Sequence, residues 1–197
     1  MTDVERNSEA ALVARLTARD PEAFDELYAL YHPRLFNFLA RLTRRREVAE
    51  DLVEELWLRV VANAPRLRPD TQLAPWLFTI ARNLYASYCR SRRIPFDALD
   101  DGDNGSIAAH DPSPFESASA TQLQRRIEAA LAALPGRYRE ALLLVALEGL
   151  SPGEAARVCG ITPEAMRQRL SRGRALLARR LEAQCAAPMP LFKEALP

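Results

Sequence analysis

The stretch LSPGEAARVCGITPEAMRQRLSRGRALLARR, residues 150–180, contains two helix-start signals in close succession. Ser151-Pro152-Gly153-Glu154 has the pattern of a capping box with proline at the first helical position, and Thr162-Pro163 repeats the cap and the proline. Gly160, between them, suits the backbone of a tight turn. Two helices joined by such a turn predict a helix-turn-helix, with an ordinary helical hairpin as the alternative.

The second helix of this pair is rich in arginine. Six arginines and only two glutamates lie between Pro163 and Glu182. A merely solvated helix would usually mix acids with its arginines for i,i+4 pairing, so the pattern favours duplex DNA as the ligand. On a helical wheel the stripe predicted to face the core is Met166, Leu170, Leu177 and Leu181. The residues predicted to contact DNA are Arg167, Gln168, Arg169, Ser171, Arg172 and Arg174, with Arg172 the best candidate for reading a guanine.

Composition sets limits on the class of protein. The 197 residues carry 27 basic and 26 acidic side chains, so the chain as a whole is not a basic nucleic-acid coat. Three cysteines and two histidines show no disulfide framework and no zinc-site spacing. Because no nucleophile–base pair or glycine-rich phosphate loop is visible either, we expect no enzyme activity, no metal and no cofactor. The N-terminus lacks the apolar core of a signal peptide, and no apolar run is long enough to insert into a membrane, which predicts a cytoplasmic protein.

Helical periodicity organises the first ninety residues into one bundle. The predicted helices cover residues 8–19, 21–31, 33–42, 47–63 and 75–93, with a break at His32-Pro33 and a loop at 64–74.

The helix at 47–63 has an unusual outer face. Its buried side is predicted to consist of Ala49, Leu52, Val53, Leu56 and Val60. The opposite side groups Glu47, Glu50, Asp51 and Glu54 with Leu58 and Val61. Solvation explains the acids, but it does not explain exposed leucine and valine among like charges. The pattern indicates a docking surface for a basic partner.

The helix at 75–93 is basic and aromatic. It carries four arginines after Thr79 and no acid, and its aromatic residues are Trp76, Phe78, Tyr85 and Tyr88. Aromatic residues at this spacing are more often core than base-stacking platforms. The charge nevertheless makes this helix a second candidate nucleic-acid surface.

Composition changes at residues 94–120, which hold six acids, no Lys or Arg, and several Pro and Gly. This predicts a flexible acidic linker. Helices are predicted at 122–134 and 137–148 before the helix-turn-helix, and the tail at 186–197 is predicted to be disordered, with docking of Leu191-Phe192 on a regulator as the alternative. The predicted fold class is all-α, with two helical domains at 1–93 and 121–185.

Three segments in one order resemble the bacterial extracytoplasmic-function sigma factors. They are AEDLVEELWLRV (49–60), WLFTIARNLYASYCRSRR (76–93) and LPGRYREALLLVALEGLSPGEAARVCGITPEAMRQRLSRGRALL (134–177). The resemblance implies a protein that binds core RNA polymerase and directs promoter recognition, DNA melting and transcription initiation. This sequence departs from the family pattern at four places, which are Glu54, Val145-Ala146, Met166 and Gln168.

The resemblance also implies a role for each surface. The acidic helix would dock on the β′ clamp helices of the polymerase through Glu50, Asp51, Glu54 and Leu58. The next helix would recognise and melt the −10 element through Trp76, Arg82, Asn83 and Arg90, with Asn83 at the position that reads a flipped-out base. The arginine-rich helix would read the −35 element, and further partners would be the polymerase β flap and an anti-sigma factor. The alternative is a helix-turn-helix repressor or activator that dimerises through residues 1–93.

Overall fold

The structure, a computed structural model, describes residues 3–92 and 122–186, and in these ranges it consists of helices joined by short turns and loops. The first range folds into α1 (Asp3–Thr17), α2 (Pro21–Thr43), α3 (Arg46–Asn63), a 3-10 turn (Ala64–Arg66) and α4 (Leu73–Ser91). The second folds into α5 (Gln122–Ala132), α6 (Gly136–Leu142), a π-helical turn (Leu143–Leu147), α7 (Pro152–Cys159) and α8 (Pro163–Ala186). The all-α prediction is confirmed. The predictions for the linker at 94–120 and for the tail fall outside the described residues, apart from the first residue of the tail, which ends α8.

Helix α2 corrects the predicted break at His32-Pro33. It begins after the cap at Asp20, whose side chain accepts from the backbone N–H of Glu22, and continues through Pro33. Pro33 has no N–H to donate to the carbonyl of Ala29, which costs about 3 kcal/mol in a helix interior. Ala29 and Pro33 are both exposed, so water can donate a hydrogen bond to the Ala29 carbonyl. The buried face, which includes Leu27, Leu35 and Phe38, continues across the proline and offsets the cost.

The N-terminal domain packs α2, α3 and α4 around one apolar core. Phe38 of α2 and Phe78 of α4 meet edge to face, with ring centroids 5.2 Å apart. The five residues of α3 predicted to be buried are all buried: Ala49, Leu52, Val53, Leu56 and Val60. Helix α1 also makes a hydrogen bond to this bundle. The Glu9 carboxylate accepts from the backbone N–H of Leu73 at 2.8 Å and so caps the start of α4.

In the C-terminal domain, the helix predicted at 137–148 does not remain α-helical. After Leu142 the chain widens into one π turn, in which the N–H of Glu148 donates to the carbonyl of Leu143 at 3.0 Å. The wider turn accompanies the burial of Leu143, Leu144 and Leu150 in the core, while Leu147 stays exposed. π turns often lie at functional positions. Here the turn places Glu148 opposite the N-terminal domain.

The helix-turn-helix prediction is confirmed at α7 and α8. The Ser151 hydroxyl accepts from the N–H of Glu154, whose carboxylate accepts from the N–H of Ser151, which completes the capping box. Gly160 ends α7 with φ of 64°, a left-handed conformation that favours glycine. Met166 and Leu170 bury the start of α8 against the domain core.

The two domains pack against one another in the described structure. Arg139, buried in α6, donates to the carbonyls of Ala132 and Leu134 at 2.7 and 2.8 Å and, across the interface, to the carbonyl of Arg41 at 3.3 Å. The last carbonyls of a helix have no N–H partner within that helix, and Arg139 supplies hydrogen bonds to such carbonyls at the ends of α5 and α2. Burial lowers the pKa of Arg139 to about 10, so the guanidinium stays charged at neutral pH.

Candidate polymerase and nucleic-acid interfaces

The outward face of α3 combines exposed carboxylates with exposed apolar side chains. Asp51 and Glu54 are exposed, and Leu58 and Val61 expose 73% and 55% of their surfaces. Glu50 is partly covered, because its carboxylate pairs with Arg46 at 2.8 Å. The two exposed apolar side chains lie one helical turn apart and interrupt the acidic face of α3.

The four residues of α4 predicted to contact DNA do not share one environment. Asn83 and Arg90 are exposed, and a guanidinium nitrogen of Arg90 donates to the Ser87 hydroxyl at 2.9 Å. Trp76 is half-buried and packs against the core, which favours the structural interpretation of the aromatic residues. Arg82 is half-buried and turned toward the C-terminal domain.

Arg82 forms a charged contact between the domains. Its Nε donates to Oε1 of Glu140 in α6 at 3.3 Å, and Glu140 is fully buried. Burial raises the pKa of the Glu140 carboxyl, and Arg82 only partly offsets this effect. The other oxygen, Oε2, has no hydrogen-bond partner of good geometry in the described part of the chain. The neighbouring Cys159 thiol interacts with this carboxylate, but a thiol is a weak donor.

Two further ion pairs join the domains. The Arg41 guanidinium holds both Glu128 oxygens at 2.7–3.2 Å, and both side chains are largely buried. Arg34 binds the Glu148 carboxylate at 3.1 Å and the Glu148 carbonyl at 2.9 Å. In all three pairs the arginine belongs to the N-terminal domain and the carboxylate to the C-terminal domain.

The outer ridge of α8 presents most of the predicted −35 residues to solvent. Gln168, Ser171, Arg172 and Arg174 are exposed. Arg167 is exposed too and pairs with Glu164 one turn earlier. Arg169 differs, since it is half-buried and lies near enough to Glu140 to influence that carboxyl. Its partly buried position near Glu140 is a feature that the wheel did not predict.

A basic cavity between α6 and α8 escaped the sequence analysis. Its volume is about 150 Å³, and no acid is among its described lining residues, which are Arg137, Tyr138, Ala165, Gln168, Arg169 and Arg172. The helical pattern at 137–148 includes Arg137 and Tyr138 but assigns neither of them to a binding surface. No local signal connects them to α8, which lies about 30 residues further along the chain.

A larger cleft of about 1,120 Å³ opens between the domains. Apolar side chains line it, among them Leu12, Leu30, Tyr31 and Leu150. Among the described residues that line it, the acids are Glu9, Glu26, Glu148 and Glu154, and Arg34 is the one arginine.

This architecture defines a two-domain transcription factor of the sigma-70 type. Residues 27–94 match the model for sigma-70 region 2, and residues 124–177 match the model for sigma-70 region 4. The RNA polymerase sigma factor CarQ of Myxococcus xanthus is 36% identical over 154 residues, which span 77% of this chain and 85% of the relative. The ECF RNA polymerase sigma factor EcfG of Rhodopseudomonas palustris (strain TIE-1) is 36% identical over 74% of this chain and 78% of the relative.

Solved structures show the same fold. The sigma factor RpoE, in complex with the anti-sigma factor NepR from Bartonella quintana, aligns with a TM-score of 0.63 at 31% identity, over 81% of this chain and 96% of that chain. CnrH, solved with the cytosolic domain of CnrY, aligns with a TM-score of 0.66 at 24% identity, over 88% of this chain and 97% of that chain.

The chain belongs to the extracytoplasmic-function (ECF) RNA polymerase sigma factors. It directs transcription initiation together with core RNA polymerase at promoter DNA, and like the other members of its family it is not an enzyme. In the described ranges no helix is both long and apolar enough to cross a membrane.

Proposed function

We propose that this sigma factor divides promoter recognition between two domains whose binding surfaces differ in charge. Residues 1–93 would bind core polymerase through α3 and the −10 element through α4, and residues 121–185 would bind the −35 element through α8. Residues 94–120 would join them. The observation that carries the proposal is the pair of faces themselves, acidic and apolar on α3 and arginine-rich on α8.

Polymerase binding would use Glu50, Asp51, Glu54 and Leu58. The exposed Leu58 side chain would lose its contact with water in the complex, which is worth roughly 1.5–3 kcal/mol for a fully buried leucine. The carboxylates would guide the approach of basic side chains, and the resemblance assigns those to the β′ clamp helices. The C-terminal domain would contact the β flap.

Binding of the −10 element would use Asn83, Arg82, Trp76 and Arg90. Asn83 is exposed and can offer its amide to the edge of an extruded base. Arg82 is engaged with Glu140 when the domains are packed together. The packed arrangement would therefore be the state before engagement, and Arg82 would become available to DNA when the domains separate.

Binding of the −35 element would use Arg167, Gln168, Arg169, Ser171, Arg172 and Arg174. The five of them that are exposed, all except Arg169, suit a helix in the major groove. The half-buried Arg169 would stabilise the domain beside Glu140 and reach DNA only at its edge.

An anti-sigma factor is the further partner we propose. The solved relative RpoE is bound to such a factor, and it is 31% identical to this chain. The cleft between the domains supports the proposal, because its apolar lining and excess of acids suit an amphipathic basic segment. Because core polymerase and promoter DNA would be its partners, we propose that the protein acts in the cytoplasm.

The decisive experiment is reconstitution with purified core polymerase. We expect the tagged chain to copurify with core enzyme and to yield run-off transcripts from genomic fragments, whereas the chain alone binds promoter duplex weakly. A repressor or activator would bind its duplex tightly and specifically without polymerase. That result, with no transcripts from the reconstituted enzyme, would replace the sigma-factor proposal.

A further inference from the structure

Two arginines from different helices converge on one tyrosine at the edge of the recognition helix. Arg137 of α6 donates to the Tyr138 hydroxyl at 3.0 Å, and its guanidinium carbon lies 4.7 Å from the centre of the Tyr138 ring. The same hydroxyl lies close enough to Arg172 of α8 to interact with its guanidinium. Burial alone would raise the pKa of Tyr138, but the two arginines outweigh it and the pKa is lowered.

The packing of α6 on α8 fixes this arrangement. Tyr138 is buried for most of its surface, so its ring is held in the core while its hydroxyl reaches the cavity that Arg137 and Arg172 line. A Cβ on Gly173 would lie 3.4 Å from the side chains of Leu142 and Tyr138, and the glycine at this position lets the two helices approach closely. The two guanidinium groups are therefore held around one point rather than spread over the surface.

The chemistry of the cavity specifies an anion. Arg137, Arg169 and Arg172 line its 150 Å³, and no carboxylate is among the described lining residues. Like charges brought together around a shared acceptor are stabilised when an anion takes the space between them, and guanidinium groups bind phosphate oxygens in pairs. Gln168, whose amide belongs to the outer ridge, also lines the cavity and places it at the border of the DNA-facing surface.

We propose that Arg137, Tyr138 and Arg172 form a binding site for one backbone phosphate of the −35 duplex. Arg137 is a contact that α6 adds to the recognition surface of α8, and Tyr138 is a positioning residue that holds both guanidinium groups. The inference rests on the proposed binding of the −35 element by α8. It changes the expected role of Arg172 from reading a guanine to clamping the backbone, and it leaves base edges to Gln168 and its neighbours.

The test uses the reconstituted holoenzyme and a panel of single-base −35 variants over a range of salt concentrations. Arg137→Ala and Arg172→Ala should each weaken binding to every promoter by about three- to tenfold and lower the salt slope by about one. Tyr138→Phe should give a smaller loss of the same kind, and should add little to Arg137→Ala. Arg125→Ala removes an exposed arginine from α5 and serves as the control, with no change in base preference or salt slope.

Two outcomes would overturn the site. If Arg137→Ala leaves the affinity and the salt slope unchanged, while binding still depends on the −35 sequence, then Arg137 makes no contact with a DNA phosphate. Selective loss at one base pair in Arg172→Ala would assign that arginine to base reading. If the parent holoenzyme binds scrambled and intact −35 sequences equally, the proposed function of α8 fails instead. Thermal melting of each variant, with Tyr138→Phe as the conservative change, separates lost contacts from lost folding.

Discussion

Nε of Arg82 lies 3.3 Å from Oε1 of Glu140, so that a cation on the proposed −10 helix is paired with a carboxyl group buried in the C-terminal domain. The two residues are 58 positions apart, in different domains. Separation of the domains breaks this contact, together with the Arg41–Glu128 and Arg34–Glu148 pairs. Contacts with polymerase and promoter DNA would compensate for that loss.

The first prediction tests this domain packing through the neighbouring pair Arg41–Glu128. Arg41→Glu or Glu128→Arg alone replaces this ion pair by two like charges in a largely buried site, and should separate the domains. The double exchange restores opposite charges and should restore the packed form. Small-angle scattering of each purified variant would report the change as a larger radius of gyration. Equal radii for all four proteins would show that this pair does not hold the domains together.

The second prediction concerns the acidic face of α3. Asp51→Arg with Glu54→Arg should lower the affinity for core polymerase by at least tenfold, because four units of charge change on an exposed face without loss of packing. Competition against the parent chain for core enzyme measures this. Glu22→Arg with Asp25→Arg, an equally spaced and exposed pair on α2, is the matched control. Normal competition by the α3 variant would exclude this face as the docking surface.

The third prediction concerns DNA melting. Asn83→Ala should reduce open-complex formation more than closed-complex binding, since an extruded base is available only after the duplex opens. Permanganate reactivity of −10 thymines measures the opening, and a gel shift measures the closed complex. Asn63→Ala removes an exposed amide from the end of α3 and should affect neither step. Equal loss of both steps in Asn83→Ala would indicate a structural amide.

The fourth prediction separates base reading from phosphate binding on α8. Gln168→Ala should flatten discrimination at one −35 base pair, because a bidentate amide contact contributes about 1–3 kcal/mol, or roughly a ten- to hundredfold preference. Arg174→Ala, on the exposed shoulder, should weaken binding to all variants alike and lower the salt slope by about one. Transcription from a panel of single-base variants compares the two. Retained discrimination in Gln168→Ala would exclude it as a base reader.

The fifth prediction concerns pH. Burial raises the pKa of Glu140, so the folded state holds its proton more tightly than the unfolded state, whose carboxyl titrates near 4.5. The contribution of this proton to stability is present below about pH 4.5 and is lost as the pH rises through the folded pKa. As the pH rises from 4.5, the free energy of unfolding of the parent chain should therefore fall relative to that of Glu140→Gln. Urea denaturation at a series of pH values would measure the difference.

Glu154→Gln is a control for which the pH dependence of the unfolding free energy should have the opposite sign. The Ser151 hydroxyl lowers the pKa of Glu154, so its contribution is present above the unfolded pKa and is lost as the pH falls. A pH-independent difference between the parent chain and Glu140→Gln would show that Glu140 does not titrate in the folded protein over this range.

Local sequence signals were sufficient for most helices and for the two charged faces. The capping box at Ser151, the glycine turn at Gly160 and the buried stripe of α3 each depend on residues within a few positions of one another, and each is present in the structure. Local signals were wrong where tertiary packing outweighed them. Pro33 lies on an exposed side of α2, and the π turn after Leu142 accompanies burial of three leucines.

The amino-acid sequence by itself determined which helices form and which faces of them carry acid, arginine or apolar side chains, because caps and periodicity act over one or two turns. Only the tertiary structure decided how side chains from distant helices meet. It brought Arg169 near Glu140, paired Arg82 with Glu140, and placed Arg137 beside Arg172 around one tyrosine hydroxyl. These relationships depend on the angle and separation at which helices pack, and those follow from the shape of the whole core rather than from any one segment.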